Sequence, residues 1–182
     1  DGIAAPLRRG GKGDPRGVGT SVPLIVCWGD RIAPRASERL ADFTDFFPTF
    51  ADAMRIGVPA EWKLDGVSLY PEIAGQKPLE KEISLMHYNP LWPTAPAPYA
   101  SRAARTAEYK YYWDGRFFNT IEDFMEEHPI DIAVCSDEVK AIYHKRKARV
   151  EECPDFRPDM PGAPRRGDYG TFYDFAEPNN PF

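Results

Sequence analysis

The longest apolar run in the chain is Val22-Pro23-Leu24-Ile25-Val26-Cys27-Trp28, bounded by Gly29-Asp30. A short, β-branched, apolar run of this kind predicts a buried strand, with Pro23 near its first position, where no ladder donor is needed. Residues 1–21 are rich in Gly and Arg and predict a loop, because so many glycines would cost a regular element too much backbone entropy. Arg39-Leu40-Ala41-Asp42-Phe43 reads as a short strand or an approach to a helix. From Thr44 onward, Phe46, Phe47, Phe50, Ala51 and Met54 recur at helical spacing. Thr44 is the predicted N-cap, Pro48 falls in the first turn, and Gly57 and Pro59 stop the helix. A second short helix is predicted over residues 68–74, after Asp65-Gly66 and before Gly75.

The second half changes character. Residues 82–88 alternate as a strand does, and residues 89–99 hold four prolines and read as a loop. Residues 103–113 and 116–118 predict two or three antiparallel strands, with Asp114-Gly115 as a hairpin turn. A last helix is predicted from just after Ser136 to about residue 152, with Val139, Ile142, Tyr143 and Val150 on one face. Its basic run, His144-Lys145-Arg146-Lys147-Ala148-Arg149, reads as a solvated face, with a sulfated polysaccharide as the less favoured reading. The tail from Pro154 reads as irregular, with Tyr169, Phe172, Tyr173 and Phe175 as candidates to dock on the body.

Composition narrows the class. With 182 residues, 42% of them hydrophobic, the chain is long enough for one domain and a small appendage. Its 19 prolines are roughly twice the usual share of about 5%, which favours turns over long helices. A formal net charge of -5 does not advertise a nucleic-acid surface, and no run is long and apolar enough to span a bilayer. Cys27, Cys135 and Cys153 form no CxxC or Cys/His zinc pattern, so one disulfide and one spare thiol stay open without a pairing. The chain starts at Asp1 without a basic-then-apolar leader, and reads as a processed product or a fragment.

The chemistry lies in ordered motifs. Gly11-Lys12-Gly13 is followed eleven residues after the lysine by Pro23 in the 22–28 run. Further on come Asp42-Phe43-Thr44-Asp45-Phe46-Phe47-Pro48-Thr49-Phe50, then Leu64-Asp65-Gly66-Val67-Ser68-Leu69. Arg102-Ala103-Ala104-Arg105-Thr106 with Tyr109-Lys110-Tyr111 completes the series. Taken singly each is a common sequence. Five pieces in one order and spacing, over roughly residues 1–130, resemble the C-terminal portion of the formylglycine-dependent, arylsulfatase-like sulfatases.

That resemblance implies an α/β, alkaline-phosphatase-like (sulfatase) fold, here its C-terminal part with a small antiparallel sheet and a terminal helix. Residues 1–79 would end the catalytic domain, residues 80–152 would form the small subdomain, and residues 153–182 the irregular tail. The implied activity is sulfuric-ester hydrolysis, with calcium and an upstream formylglycine as cofactors. The implied partners are a sulfated small molecule or carbohydrate and the N-terminal segment of the same enzyme, in a periplasmic or extracellular setting.

Lys12 is the candidate catalytic residue, because a fixed ammonium stabilises the charge on a transferred sulfuryl group, and flanking glycines let the backbone approach an anion. His87, from a His-Tyr pair that related enzymes carry near the substrate, is the candidate substrate-binding residue. Asp1 is the candidate metal ligand, although Gly2 stands where the second ligand is expected and calcium wants six to eight oxygens. Gly17 departs from the glutamate that many members carry. The nucleophile motif C/S-x-P-x-R is missing: Cys27-Trp28-Gly29-Asp30-Arg31 and Cys153-Pro154-Asp155-Phe156-Arg157 misplace the proline. Cys27 therefore reads as a small core residue and Cys153 as a helix-end residue. The chain alone is then expected to be inactive. The rival expectation is a degenerate, non-catalytic module that binds a sulfated ligand or a partner chain.

Overall fold

The computed structural model describes residue 11, residues 13–89 and residues 100–156. In chain order they form α1 (Gly17–Thr20), α2 (Phe46–Ala53), α3 (Tyr70–Ile73), β1 (Ser84–Tyr88), β2 (Ser101–Arg105), β3 (Tyr109–Tyr112), β4 (Phe117–Asn119) and α4 (Asp137–Glu151). Short 3-10 turns at Phe43–Asp45, Ala60–Trp62 and Ile132–Val134 join them.

The four strands make one antiparallel sheet in the order β1-β2-β3-β4. Neighbouring strands follow one another in sequence, and short turns set the register of the β2–β3 and β3–β4 pairs. In the β3–β4 hairpin, the Tyr112 N–H donates to the Arg116 carbonyl at 2.8 Å, and Gly115 takes a φ of 93° that suits glycine. Between β2 and β3, Thr106 closes the turn by accepting the Tyr109 N–H at 3.0 Å on its hydroxyl.

Period-two alternation then builds two different faces. Leu85, Ala104, Tyr111 and Phe117 pack with Ile142, Tyr143 and Val150 of α4. Tyr143 stands edge-on to both Tyr111 and Phe117, at ring separations of 5.1 and 5.5 Å. On the opposite face Ala103, Tyr112 and Phe118 are buried beside Met86. Each buried aromatic contributes about 2–3 kcal/mol by loss of apolar surface to water. The paired alanines 103 and 104 leave room for those rings on both sides. α4 starts where expected: the Ser136 hydroxyl accepts the Val139 N–H, Asp137 and Glu138 occupy its first turn, and Arg149 its last.

The first half is held by polar bonds more than by apolar burial. Asp42, and not Thr44, caps the 43–53 helical stretch: its carboxylate accepts the Thr44 N–H while Asp45 accepts the Asp42 N–H, a reciprocal capping box. An aspartate takes the cap because its charged oxygen also faces Lys81. The Leu64–Leu69 turn and α2 interlock. Asp45 accepts the Val67 N–H at 2.9 Å, Thr49 accepts the Leu69 N–H at 2.8 Å, and Asp52 accepts the Ser68 hydroxyl at 2.7 Å. A methyl group at Gly66 would lie 2.0 Å from the Thr44 carbonyl oxygen, so this turn fits only without a side chain.

Two expectations are corrected. Residues 22–28 form no strand: a single isolated bridge joins Trp28 to Asp30, and no strand among the described residues runs beside them. A strand needs a ladder partner, and without one Val22, Leu24, Ile25, Val26 and Trp28 stand exposed, Ile25 at 89%. Cys27, expected in a core, is exposed with them, and the three cysteines are free thiols. Cys153 does follow the end of α4, half-buried. The aromatic positions proposed to dock from the tail lie outside the described residues.

Candidate functional site

The Gly-Lys-Gly segment leads onto the face of the sheet opposite α4. Gly11 and residues 13–20 form a tight coil in which the Gly11 N–H donates to the Val18 carbonyl at 3.0 Å and the Asp14 N–H to the Gly11 carbonyl at 2.8 Å. The coil cannot tolerate a side chain at Gly19, where a methyl would sit 2.2 Å from the carbonyl oxygens of both Asp14 and Gly11. Asp14 holds Arg16 through paired bonds of 2.6–3.1 Å. Burial raises the Asp14 pKa, but the Arg16 bonds outweigh it and hold the carboxyl below its ordinary range.

Beneath the coil lies a buried polar cluster. Glu126 accepts the Gly17 N–H at 2.7 Å and the Lys110 ammonium at 3.1 Å, and its second oxygen accepts the Tyr112 hydroxyl. Lys110 also donates to the Pro15 carbonyl at 2.5 Å. Burial drives the Lys110 ammonium down to about 8 against the pull of Glu126, and raises the Tyr112 phenol far above its usual value. Arg105 of β2 adds a bond to the Ser21 hydroxyl at 3.1 Å.

Of the sequence-predicted site residues, Lys12 and Asp1 lie outside the described residues. His87 lies in β1, exposed, opposite Arg102, with its ring 5.8 Å from that of Phe156. Alternation puts His87 on the same side of the sheet as Leu85, the α4 side, and its neighbour Tyr88 on the coil side. Accordingly a methyl at Gly13 would lie 3.7 Å from the Tyr88 hydroxyl. The geometry brings Tyr88, rather than His87, up to the Gly-Lys-Gly segment.

The comparisons bear on what this arrangement belongs to. No family model matches the chain. Over 77 residues it is 36% identical to the uncharacterized sulfatase YdeN of Escherichia coli (strain K12), a stretch that covers 42% of this chain and 13% of that protein. Over that stretch the chain resembles a sulfatase. The match spans only about an eighth of that relative's length. Two solved structures are similar at low level. A candidate sulfatase of Bacteroides thetaiotaomicron VPI-5482 has a TM-score of 0.40 and 23% identity, over 63% of this chain and 27% of that one. BT4656, solved with its substrate D-glucosamine-2-N,6-O-disulfate, has a TM-score of 0.39 and 22% identity, over 59% and 22%. Likenesses at this level carry no conclusion about the chain.

Sequence reading missed the residues that anchor the coil. Lys110 was legible only as part of a Tyr-Lys-Tyr motif, and nothing local to Glu126 marks it, since its partners lie 109 and 16 residues away. No group of three or more His, Cys, Asp or Glu side chains among the described residues could hold a metal ion. The carboxylates that do converge, Asp42 and Asp45, are both occupied by the ammonium of Lys81. Among the described residues no side-chain set therefore fits a calcium site. No described helix is long and apolar enough to cross a membrane. The basic face of α4 is largely paired: Lys145 with Glu82, Lys147 with Glu151 and Arg149 with Glu152. An apolar hollow lined by Phe47, Phe50, Met54, Ile56, Val58 and Trp62 shares no residue with the coil.

Proposed function

We propose that the chain is the C-terminal part of a sulfuric-ester hydrolase, to which it contributes Lys12 as a sulfate-oxygen ligand, and that it is inactive by itself. The observation that carries this reading is the 36% identity to a sulfatase over 77 residues. The local structure supports it in one respect: the glycine-rich coil that follows Lys12 is tied to a folded sheet at Pro15 and Gly17. An ammonium carried next to such a coil needs little reorganisation when charge develops on a transferred sulfuryl group. Calcium and formylglycine would come from the intact enzyme, where they supply electrophilic activation and the nucleophile. Asp1 would supply one ligand of such a site, and His87 would act from the α4 side of the sheet.

The test is turnover of an aryl sulfate and of sulfated sugars by the complete gene product. With Lys12→Ala, kcat is expected to fall on the order of a hundredfold or more. An unchanged kcat removes Lys12 from the site. A complete product that carries C/S-x-P-x-R yet releases no sulfate from any of them points instead to the non-catalytic binding module. Calorimetry with the same sugars then decides whether Lys12 serves binding.

A further inference from the structure

The grip on the coil is concentrated in one turn. Glu126 is 5% exposed, has a side chain with no exposed surface, and adopts a φ of 55°, the left-handed region that a non-glycine residue enters only at a cost. That conformation aims its carboxylate at three donors: the Gly17 N–H, the Lys110 ammonium and the Tyr112 hydroxyl. Two of these donors also reach the coil, since the Lys110 ammonium and the Tyr112 hydroxyl lie 2.5 and 3.2 Å from the Pro15 carbonyl. One carboxylate therefore governs a backbone N–H and a backbone carbonyl two residues apart. The same turn closes on Gly17 sterically, because a methyl there would lie 3.2 Å from the Phe124 ring, and Arg16 reaches the Met125 carbonyl at 3.4 Å. None of these bonds involves α4 or the other face of the sheet.

We infer that Glu126, acting through Lys110 and Tyr112, is the positioning residue that fixes the coil next to the Gly-Lys-Gly segment. Its functional meaning rests on the sulfate-binding reading of Lys12; its structural meaning does not. A buried hydrogen-bonded carboxylate in this place sets where residues 15–17 rest on the sheet. Glutamine keeps one acceptor oxygen and puts an NH2 donor at the other, so it cannot keep all three acceptor bonds.

The experiment is peptide-resolved hydrogen exchange on the complete gene product and its Glu126→Gln, Tyr112→Phe and Lys12→Ala variants, alongside kcat and KM. Glu126→Gln is expected to speed exchange over residues 13–20 at least tenfold while leaving α4 unchanged. Should Glu126→Gln loosen the whole sheet, Tyr112→Phe decides, with a smaller increase confined to the coil. Coil exchange within twofold of wild type in both variants overturns the inference. On the sulfatase reading, Glu126→Gln lowers kcat more than it raises KM, and adds no further loss in a Lys12→Ala background. A full additive loss there overturns positioning through Lys12. A wild-type protein without turnover overturns the sulfatase reading alone, and the exchange result then still decides the role of Glu126.

Discussion

Lys81 Nζ lies 2.8 Å from both carboxylate oxygens of Asp45, a residue with no exposed surface. The same ammonium is 2.7 Å from Asp42, whose carboxylate also accepts the Ser84 hydroxyl at 2.5 Å. One lysine at the entrance to β1 thus bridges the two carboxylates of the capping box, one of which, Asp45, also holds the 64–69 turn. Burial raises the Asp42 pKa, yet the bonds from Lys81, Ser84 and Thr44 together keep it below the ordinary carboxyl value. Lys81→Met leaves two carboxylates facing each other without a counter-charge, and is expected to cost about 3–5 kcal/mol. Urea unfolding at neutral pH measures it. A loss under about 1 kcal/mol would mean that water already satisfies the pair.

Gly66 and Gly57 make opposite predictions for one substitution. A methyl at Gly66 would meet the backbone of Thr44 and Asp45, which cannot swing aside as a side-chain tip does. Gly66→Ala is expected to destabilise by about 2 kcal/mol or more, through strain where the turn meets α2. At Gly57 nothing lies within 4 Å, and its φ is not in the positive range. Gly57→Ala is expected to be neutral or to stabilise by up to about 1 kcal/mol, by restricting the unfolded chain. Thermal melts of the two variants side by side test the contrast, and equal shifts would refute it.

The pH dependence of the Lys110 cluster has a definite sign. Burial lowers the folded ammonium to about 8, whereas an unfolded lysine keeps its ordinary value of 10.5. Between those values the unfolded chain binds the extra proton, so this group's contribution to stability rises with pH across that window. Lys110→Met removes the proton from both states. The unfolding free energy of wild type minus that of the variant is expected to climb by a few kcal/mol at most between about pH 7.5 and about pH 10. A difference that falls instead would show that the folded cluster holds the charged amine more tightly than water does.

Much of the second half was legible because its interactions are local. The Asp114-Gly115 turn, the alternation along β1 and the apolar stripe of Val139, Ile142, Tyr143 and Val150 each declare themselves within a few residues. Two misreadings have other physical origins. Thr44 sits at a plausible cap position, but Asp42 with Asp45 three residues on is itself a capping pair, and a charged cap facing Lys81 wins. The apolar 22–28 run carries every mark of a strand except a neighbour, and sequence pattern reports a preference without supplying the ladder partner. At the candidate site, the glycines around Lys12 were legible and their anchor was not. Glu126 reaches Gly17 across 109 residues through a backbone conformation that no local pattern announces. Reading His87-Tyr88 as a pair also hid the alternation that sends the two side chains to opposite faces.

The exposed 22–28 run yields the last prediction. Val22, Leu24, Ile25, Val26 and Trp28 are all at least 40% exposed, in a segment that joins no strand among the described residues. Such a segment is a template for pairing with another chain, and the apolar side chains add a driving force for it. The 182-residue chain is therefore expected to self-associate at tens of micromolar. Ile25→Lys should shift it toward monomer, because a charge on an edge disfavours stacking. The substitution should leave stability within about 0.5 kcal/mol, since at 89% exposure Ile25 has almost no burial to lose. Sedimentation velocity on the two proteins distinguishes the outcomes. A wild-type chain that stays monomeric and unfolds cooperatively would show that these residues stand free without penalty, and the case that they belong against a neighbouring strand would lose its energetic basis.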